Sequence, residues 1–349
     1  MKAYTPLQPL TEREKRILGA IVHHFIDRAA PVSSSYIAER EHLDMSPATI
    51  RNIMASLEEK NYIYQPHPSA GRVPTSLGYR VYVNELMKKS RLALKEREII
   101  RVSLQRASFE IEAIMREATR ILAELSHQLG VVVSPSFDDT ALQKLEIFRL
   151  STERILLLLW LTTGQMKTIT IDISPATRDE SLQYIARALN DRLAGMKLSD
   201  IRRRFYDIVY DLRVESNGLL EQLKQLANRI FDFEEGKTVF IKGTQYIVEQ
   251  PEFSDKQSFT FVAQLLEDEH QVLRLISASS NAPVEIKIGE ELNTPGVTNC
   301  SVIIGHYQLQ SATGYVGIIG PTRMNYSKLV PLVEYTAQTI SQMLQKKKN

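Results

Sequence analysis

Two short stretches carry the residue types most able to do chemistry. The first, "SPATIRNIMASLEEK" (46–60), opens with Ser46 and Pro47 and sets Thr49, Arg51 and Asn52 within one helical turn of each other. Arg can bond guanine bidentately and Asn can do the same with adenine, so this spacing suits the reading of base edges in a major groove. Ile50, Ile53, Met54 and Leu57 fall together on one side at 3.6 residues per turn. The opposite side holds Ala48, Asn52 and Ala55, with Thr49, Arg51 and Ser56 at its margins. Small side chains there let a backbone approach a partner closely. The second stretch, "QPHPSAGRVPTSLGY" (65–79), packs Pro66, Pro68, Pro74, Gly71 and Gly78 around Arg72. It predicts a stiffened hairpin, with Gly71 tolerating φ > 0 at the turn and Arg72 near the tip, able to enter a minor groove or grip phosphate. Ser46, His67 and Ser69 are candidate phosphate neighbours. For each stretch a solvated helix face or a plain linker is the competing reading.

The elements that must position these residues are legible around them. Thr11 and Glu14 form a capping box before Ile17, Leu18, Ile21, Val22, Phe25 and Ile26, which recur on one helical face. "RAAPVS" breaks that helix, a short one follows over 34–41, and Ser46 caps a third with Pro47 at its first position, where the missing N–H costs nothing. "NYIYQ" predicts a strand, Val73 begins the return, and Thr75 caps a helix bearing Tyr79, Tyr82, Val83 and Leu86. Helix, helix, turn, helix, strand, hairpin, strand is the order of a winged helix-turn-helix over 1–87. A basic helical linker follows over 88–106.

Beyond it, a helix is predicted over 109–129, then strands at "VVV", "LQKLEIFRL", "RILLLLWLTT" and "MKTITIDIS", the last three as an antiparallel meander. Helices are predicted over 180–193 and 219–231, a β-rich "TVFIKGTQYIV", and a helix over 258–269. Strands at "VEIKIGE", "CSVIIGHYQL" and "YVGIIG" precede a closing helix over 327–345. The pattern predicts an α+β domain of sensory type whose sheet is interrupted by an insertion over 200–258.

Residues 1–106 carry seventeen Lys and Arg against eleven Asp and Glu, whereas the whole chain nets only +2, so a basic front precedes a mildly acidic back. That asymmetry fits a polyanion partner at the N-terminus. The single cysteine, Cys300, cannot form an internal disulfide, and no apolar run reaches bilayer length. These features predict a cytoplasmic protein without membrane association. Catalytic signals are poor. "EEGKT" resembles the end of a phosphate-binding loop, but its required first glycine would fall at Phe231. His23 and His24 are consecutive, so they diverge by about 100° on a helix and do not share one metal easily. No HExxH, GxSxG or CxxC occurs. Cys300 and Trp160 read as core, with a redox role the sharper alternative for the cysteine. Arg202–Arg204 reads as solvated surface, with a nucleic-acid or subunit contact as the alternative.

The stretch "PVSSSYIAEREHLDMSPATIRNIMASLEEKNYIYQPHPSAGRVPTSLGYRVYV", and within it "SPATIRN", "SAGRVPT" and "GYRVYV", resembles the N-terminal domain of HrcA, the bacterial heat-inducible transcription repressor family. The resemblance extends over the full chain and is sharpest over 10–85. It implies a homodimer of winged-helix subunits, a GAF-like domain in two parts (107–199 and 259–349), and an inserted dimerising domain over 200–258. It implies double-stranded DNA as partner, through an inverted-repeat operator of the CIRCE type before chaperone genes, and a chaperonin, GroEL, that keeps the repressor active. It implies no enzyme activity, cofactor or metal. The sequence departs from the family's usual pattern at Ser33-Ser34, where Gly-Ser is common, and at Pro68, where Thr is common. The second departure removes a hydroxyl and an N–H that could bond phosphate. A small-molecule-responsive regulator, using the GAF-like domain as sensor, is the alternative function.

Overall fold

The computed structural model describes residues 9–41, 44–107, 110–212, 218–233, 239–253, 260, 263–264, 267–276, 282–294, 298–309 and 312–345. Contacts divide the chain into two units, one of Met1–Val132, Val239–His306 and Tyr315–Ile340, the other of Val133–Thr238, Tyr307–Gly314 and Ser341–Asn349.

The first unit begins with α1 (Glu12–Arg28), held at its start by the Thr11–Glu14 capping box. Ser33 caps α2 (Ser34–Arg40), its hydroxyl accepting from the Tyr36 N–H at 3.2 Å, so this serine has a defined use. Ser46 and Pro47 start α3 (Pro47–Glu59). Strands β1 (Ile63–Tyr64) and β2 (Val73–Pro74) pair antiparallel, and Val32 adds a bridge to Arg72 beside them. Ile17, Leu18, Ile21 and Val22 of α1, Ile37 of α2 and Ile50, Met54 and Leu57 of α3 are buried with Ile63, Val73 and Tyr79. This is the winged helix-turn-helix anticipated from the caps and periodicity.

Thr75 caps α4 (Ser76–Val81), which widens into a looser turn at Tyr82–Leu86. Gly78 is required here because a Cβ would lie 2.2 Å from the Tyr62 carbonyl oxygen. Of the expected linker, residues Leu94–Arg106 form α5. It is fastened rather than free. Ser90 N–H donates to the Ser327 carbonyl at 3.0 Å, and Lys328 pairs with Glu96 at 3.1 Å, both from the C-terminal helix Tyr326–Gln345. Arg80 of α4 bonds Glu291 and donates to the Ile286 carbonyl at 2.6 Å. Helix α6 (Ile111–Ser126) and most of a five-stranded sheet complete this unit. The sheet has β3 (Leu129–Ser136) flanked by β7 (Val239–Lys242), then Ala312–Pro321, Cys300–Leu309 and Val284–Ile288.

The second unit contains β4 (Leu142–Ser151), β5 (Arg154–Leu161) and β6 (Met166–Asp172) as a three-stranded antiparallel meander. Helices α7 (Asp179–Leu193), α8 (Leu198–Val209) and α9 (Leu219–Ile230) share one core with its inner face: Leu157, Leu159 and Ile171 are buried with Ile185, Phe205 and Leu223. The expected boundary at 199/200 falls inside this core, because Leu198 and Ile201 are buried with the strands. The separately cored stretch lies between β3 and β7, which are neighbours in the other sheet. Strand pattern alone does not state which sheet a strand joins.

Three further expectations are corrected. Trp160 is not core: it lies half-buried on the outer face of β5, opposite Lys144, whose ammonium stands 5.8 Å above the ring centroid. Every residue of "ILLLLWL" is apolar, so alternation could not reveal the inward face. "TVFIKGTQYIV" is a strand only at Val239–Lys242; Gly243, at φ +93, turns the chain into a helix at Thr244–Val248. The turn role of Gly71 through positive φ is also absent, for reasons given below. "EEGKT" and most of the helix expected over 258–269 lie outside the described residues, where the described helix is Glu269–Ile276. Among the described residues no helix is long and apolar enough to cross a membrane, and no group of three or more His, Cys, Asp or Glu is placed to hold a metal ion.

Candidate nucleic-acid interface

Helix α3 is fixed from its buried side outward. Ile50, Met54 and Leu57 anchor it on α1 and α2. The Ser46 hydroxyl accepts from the Thr49 N–H at 3.1 Å and lies 2.9 Å from the Thr49 hydroxyl, so both hydroxyls first serve the cap. Pro47, Ala48, Arg51, Asn52 and Ala55 remain exposed. Among the described residues, neither Arg51 nor Asn52 has a side-chain hydrogen bond or ion pair. Two side chains rich in donors, on a face lined by small residues, are therefore open to an outside partner.

The far end of α3 is tied down by charge. Glu14 of α1, only 6% exposed, accepts from the Lys60 ammonium at 2.7 Å, the Ser56 hydroxyl at 2.8 Å and the Thr11 N–H at 2.8 Å. Burial alone would raise its pKa; the Lys60 ammonium and the N–H and hydroxyl donors outweigh that and hold it at about 2.

The wing is a compact loop from Gln65 to Gly71. The Gln65 side-chain amide donates to the Pro68 and Ala70 carbonyls at 2.8 and 2.9 Å, and the Ala70 N–H donates to the His67 carbonyl at 2.9 Å. Pro68, which cannot donate to a phosphate, thus accepts from within the loop. His67, Pro68 and Ser69 are exposed and form the tip. Gly71 is needed for close approach: a Cβ there would lie 2.4 Å from the Val32 carbonyl carbon.

The structure brings Ser46, Thr49, Arg51 and Asn52 together on α3 and puts His67 and Ser69 at the wing tip. It places Arg72 elsewhere. Arg72 sits at the base of the wing, 19% exposed, with its Nη2 2.9 Å from Glu58 Oε2. Its backbone exchanges two hydrogen bonds with Val32, at 2.8 and 2.9 Å. Sequence reading passed over Glu58 as a partner, since a carboxylate near the end of α3 reads as solvated. It also passed over Tyr36, which carries the Arg28 guanidinium 4.3 Å and the Arg40 guanidinium 5.9 Å from its ring centroid; the Tyr36–Arg40 spacing of four was the available signal. Of the remaining candidates, Arg202 bonds Asp138 and pairs with Asp232 at 3.3 Å. Cys300 is buried, and that burial raises its thiol to about 12, away from reactive thiolate chemistry.

Residues 9–90 match the family model "Winged helix-turn-helix transcription repressor, HrcA DNA-binding", and residues 112–330 match "HrcA protein C terminal domain". The heat-inducible transcription repressor HrcA of Geobacter sulfurreducens is 36% identical over 338 residues, covering 96% of this chain and 98% of the relative. That of Chlorobium chlorochromatii is 36% identical over 344 residues, covering 96% and 97%. A crystal structure of a hypothetical protein, 20% identical and covering 97% of this chain and all of that one, has the same fold at a TM-score of 0.58. With both segments matched and the relatives aligned nearly end to end, the chain belongs to the HrcA family of heat-inducible transcription repressors, DNA-binding regulators and not enzymes.

Proposed function

We propose that this protein is a dimeric repressor that binds an inverted-repeat operator of the CIRCE type upstream of chaperone genes, with its active fraction maintained by a chaperonin. The observation that carries the DNA reading is the exposed pair Arg51 and Asn52, without a side-chain bond among the described residues, on the small-residue face of a capped α3. On this reading Arg51 and Asn52 bond base edges from the major groove, Thr49 and Ser46 lie against the adjoining backbone, and His67 and Ser69 touch phosphate from the wing. A twofold dimer presents two such helices, so the operator is an inverted repeat.

Support for self-association comes from the outer face of the β4–β6 meander. Phe148 and Met166 are exposed there, next to half-buried Leu156, Leu158 and Trp160. An apolar patch of this kind, set among Lys144, Glu146, Thr168 and Thr170 of the same face, is what a second copy would cover. Support for chaperonin dependence comes from the topology. The first unit is assembled from three separate stretches, and β3 pairs with β7 only after the whole β4–α9 stretch has been made. Long-range pairing of this sort folds slowly and leaves apolar surface and strand edges open meanwhile.

The test is selection of bound fragments from a random DNA pool by the purified full chain, followed by light scattering of the complex. An enriched inverted repeat bound by two chains is the expected result. Enrichment of no sequence, or of an isolated half-site by a single chain, refutes the reading.

A further inference from the structure

We infer that Glu58 and Arg72 form a clamp that sets the wing relative to the recognition helix, so that both act on operator specificity as positioning residues and neither touches DNA. The inference rests on the DNA reading above and goes beyond it in assigning these two side chains.

The geometry is that of one carboxylate holding both arms of the wing. Glu58 Oε1 accepts from the Gln65 backbone N–H at 3.1 Å, where the wing departs. Glu58 Oε2 pairs with Arg72 Nη2 at 2.9 Å, where the wing returns. Glu58 itself lies in the last turn of α3, one turn beyond Ala55 on the exposed side. The returning arm is fixed at a second point by the two backbone bonds between Arg72 and Val32. Gly71 permits that approach, since any Cβ would collide with the Val32 backbone. Within the loop, the Gln65 amide bridges the Pro68 and Ala70 carbonyls. The tip residues His67 and Ser69 are therefore carried on a loop whose two ends are pinned to α3 and to the lead-in of α2.

Charge sharpens the argument. A carboxylate beside a polyanion opposes binding unless it does something that offsets the repulsion. If Glu58 were merely solvated, removing its charge would strengthen binding to any DNA. If it is a clamp, removing its charge loosens the wing, and operator binding weakens while non-operator binding does not. Arg72 gives the mirror case. An arginine on phosphate contributes to the salt dependence of binding, about 0.9 in the logarithmic slope per phosphate neutralised. A clamp arginine contributes nothing to that slope.

The experiment uses the full chain with Glu58→Gln, Arg72→Gln and both together. Operator and non-operator affinities are measured over a range of salt, with thermal melting as a control for folding. Each single variant is expected to lose roughly three- to tenfold in operator affinity through the lost preorganisation of the wing. The salt slope is expected to stay; the non-operator affinity is expected to be unchanged or higher in Glu58→Gln and unchanged or slightly lower in Arg72→Gln, which leaves the Glu58 charge unpaired; and the double variant is expected to be no worse than the weaker single one, as for two members of one pair. Hydrogen exchange without DNA gives a reading independent of the operator, in a further variant, Glu58→Ala, that removes the acceptor as well as the charge: the Gln65 amide should lose protection there while the amides of α3 keep theirs. Operator binding by Glu58→Gln as tight as or tighter than wild type overturns the clamp, as does a slope reduced by about 0.9 per subunit in Arg72→Gln. An unchanged Gln65 exchange rate overturns it as well. Failure of the DNA reading looks different, since wild type itself would then show no preference for an operator.

Discussion

Replacing Glu14 by Gln should loosen the seat of α3, and the size of the effect should depend on pH in a defined way. The Glu14 carboxylate ties α1 to Ser56 and Lys60 at the end of α3. Its pKa is held at about 2 against an ordinary 4.5. At neutral pH that difference corresponds to roughly 3 kcal/mol in favour of the native state. Because the folded pKa is the lower one, the stabilisation is complete above about pH 4.5 and is lost as the pH falls through about 2. By pH 3 linkage leaves roughly 1.5 kcal/mol. Hydrogen exchange read on the amides of α1 and α3, in wild type and in Glu14→Gln at each pH, measures the opening free energy of this region. The gap between the two proteins should approach roughly 3 kcal/mol at pH 7 and about halve by pH 3. A gap near zero at pH 7, or one that stays constant down to pH 3, would refute the reasoning.

On the selected operator, Arg51→Ala and Asn52→Ala should each cost roughly 1–3 kcal/mol and relax the base preference at one position per half-site, as read by competition binding. Leu158→Asp, on the outer face of the meander, should shift the full chain toward monomer in light scattering while leaving the circular dichroism spectrum unchanged; a persistent dimer would move the self-association surface elsewhere. Folded protein should resist alkylation of Cys300 at pH 8, because the buried thiol ionises only near 12; fast labelling of the native chain would reopen the redox alternative. The operator-binding fraction should rise with chaperonin and ATP and fall when an unfolded competitor is added, whereas a fraction indifferent to both would remove the chaperonin from the control.

Reading from the residues alone, the winged helix was the most legible region because its signals are local. Caps at Thr11, Ser46 and Thr75, Pro47 at a helix start and one apolar face per helix each act within a few residues of themselves. The outward face of α3 followed from the inward one: once Ile50, Met54 and Leu57 are buried, Arg51 and Asn52 have only solvent or a partner to face. The back half was legible as strands and helices but not as an arrangement. The meander and the five-stranded sheet use strands of the same composition, and which sheet each joins depends on partners far along the chain.

The sequence by itself therefore determined the order of elements in the DNA-binding domain, the extent of α3 and the place of the wing, since these depend on backbone preferences and periodicity over short spans. Only the tertiary structure decided where the wing's arginine points. Arg72 stands fourteen positions after Glu58 in number but meets its carboxylate at 2.9 Å, because β1 and β2 pair and return the chain to the end of α3. The same holds for Trp160, whose side of the sheet was settled by the helices that came to cover the other. A side chain's type says what it can bond; the partner it bonds is chosen by what the fold brings within reach.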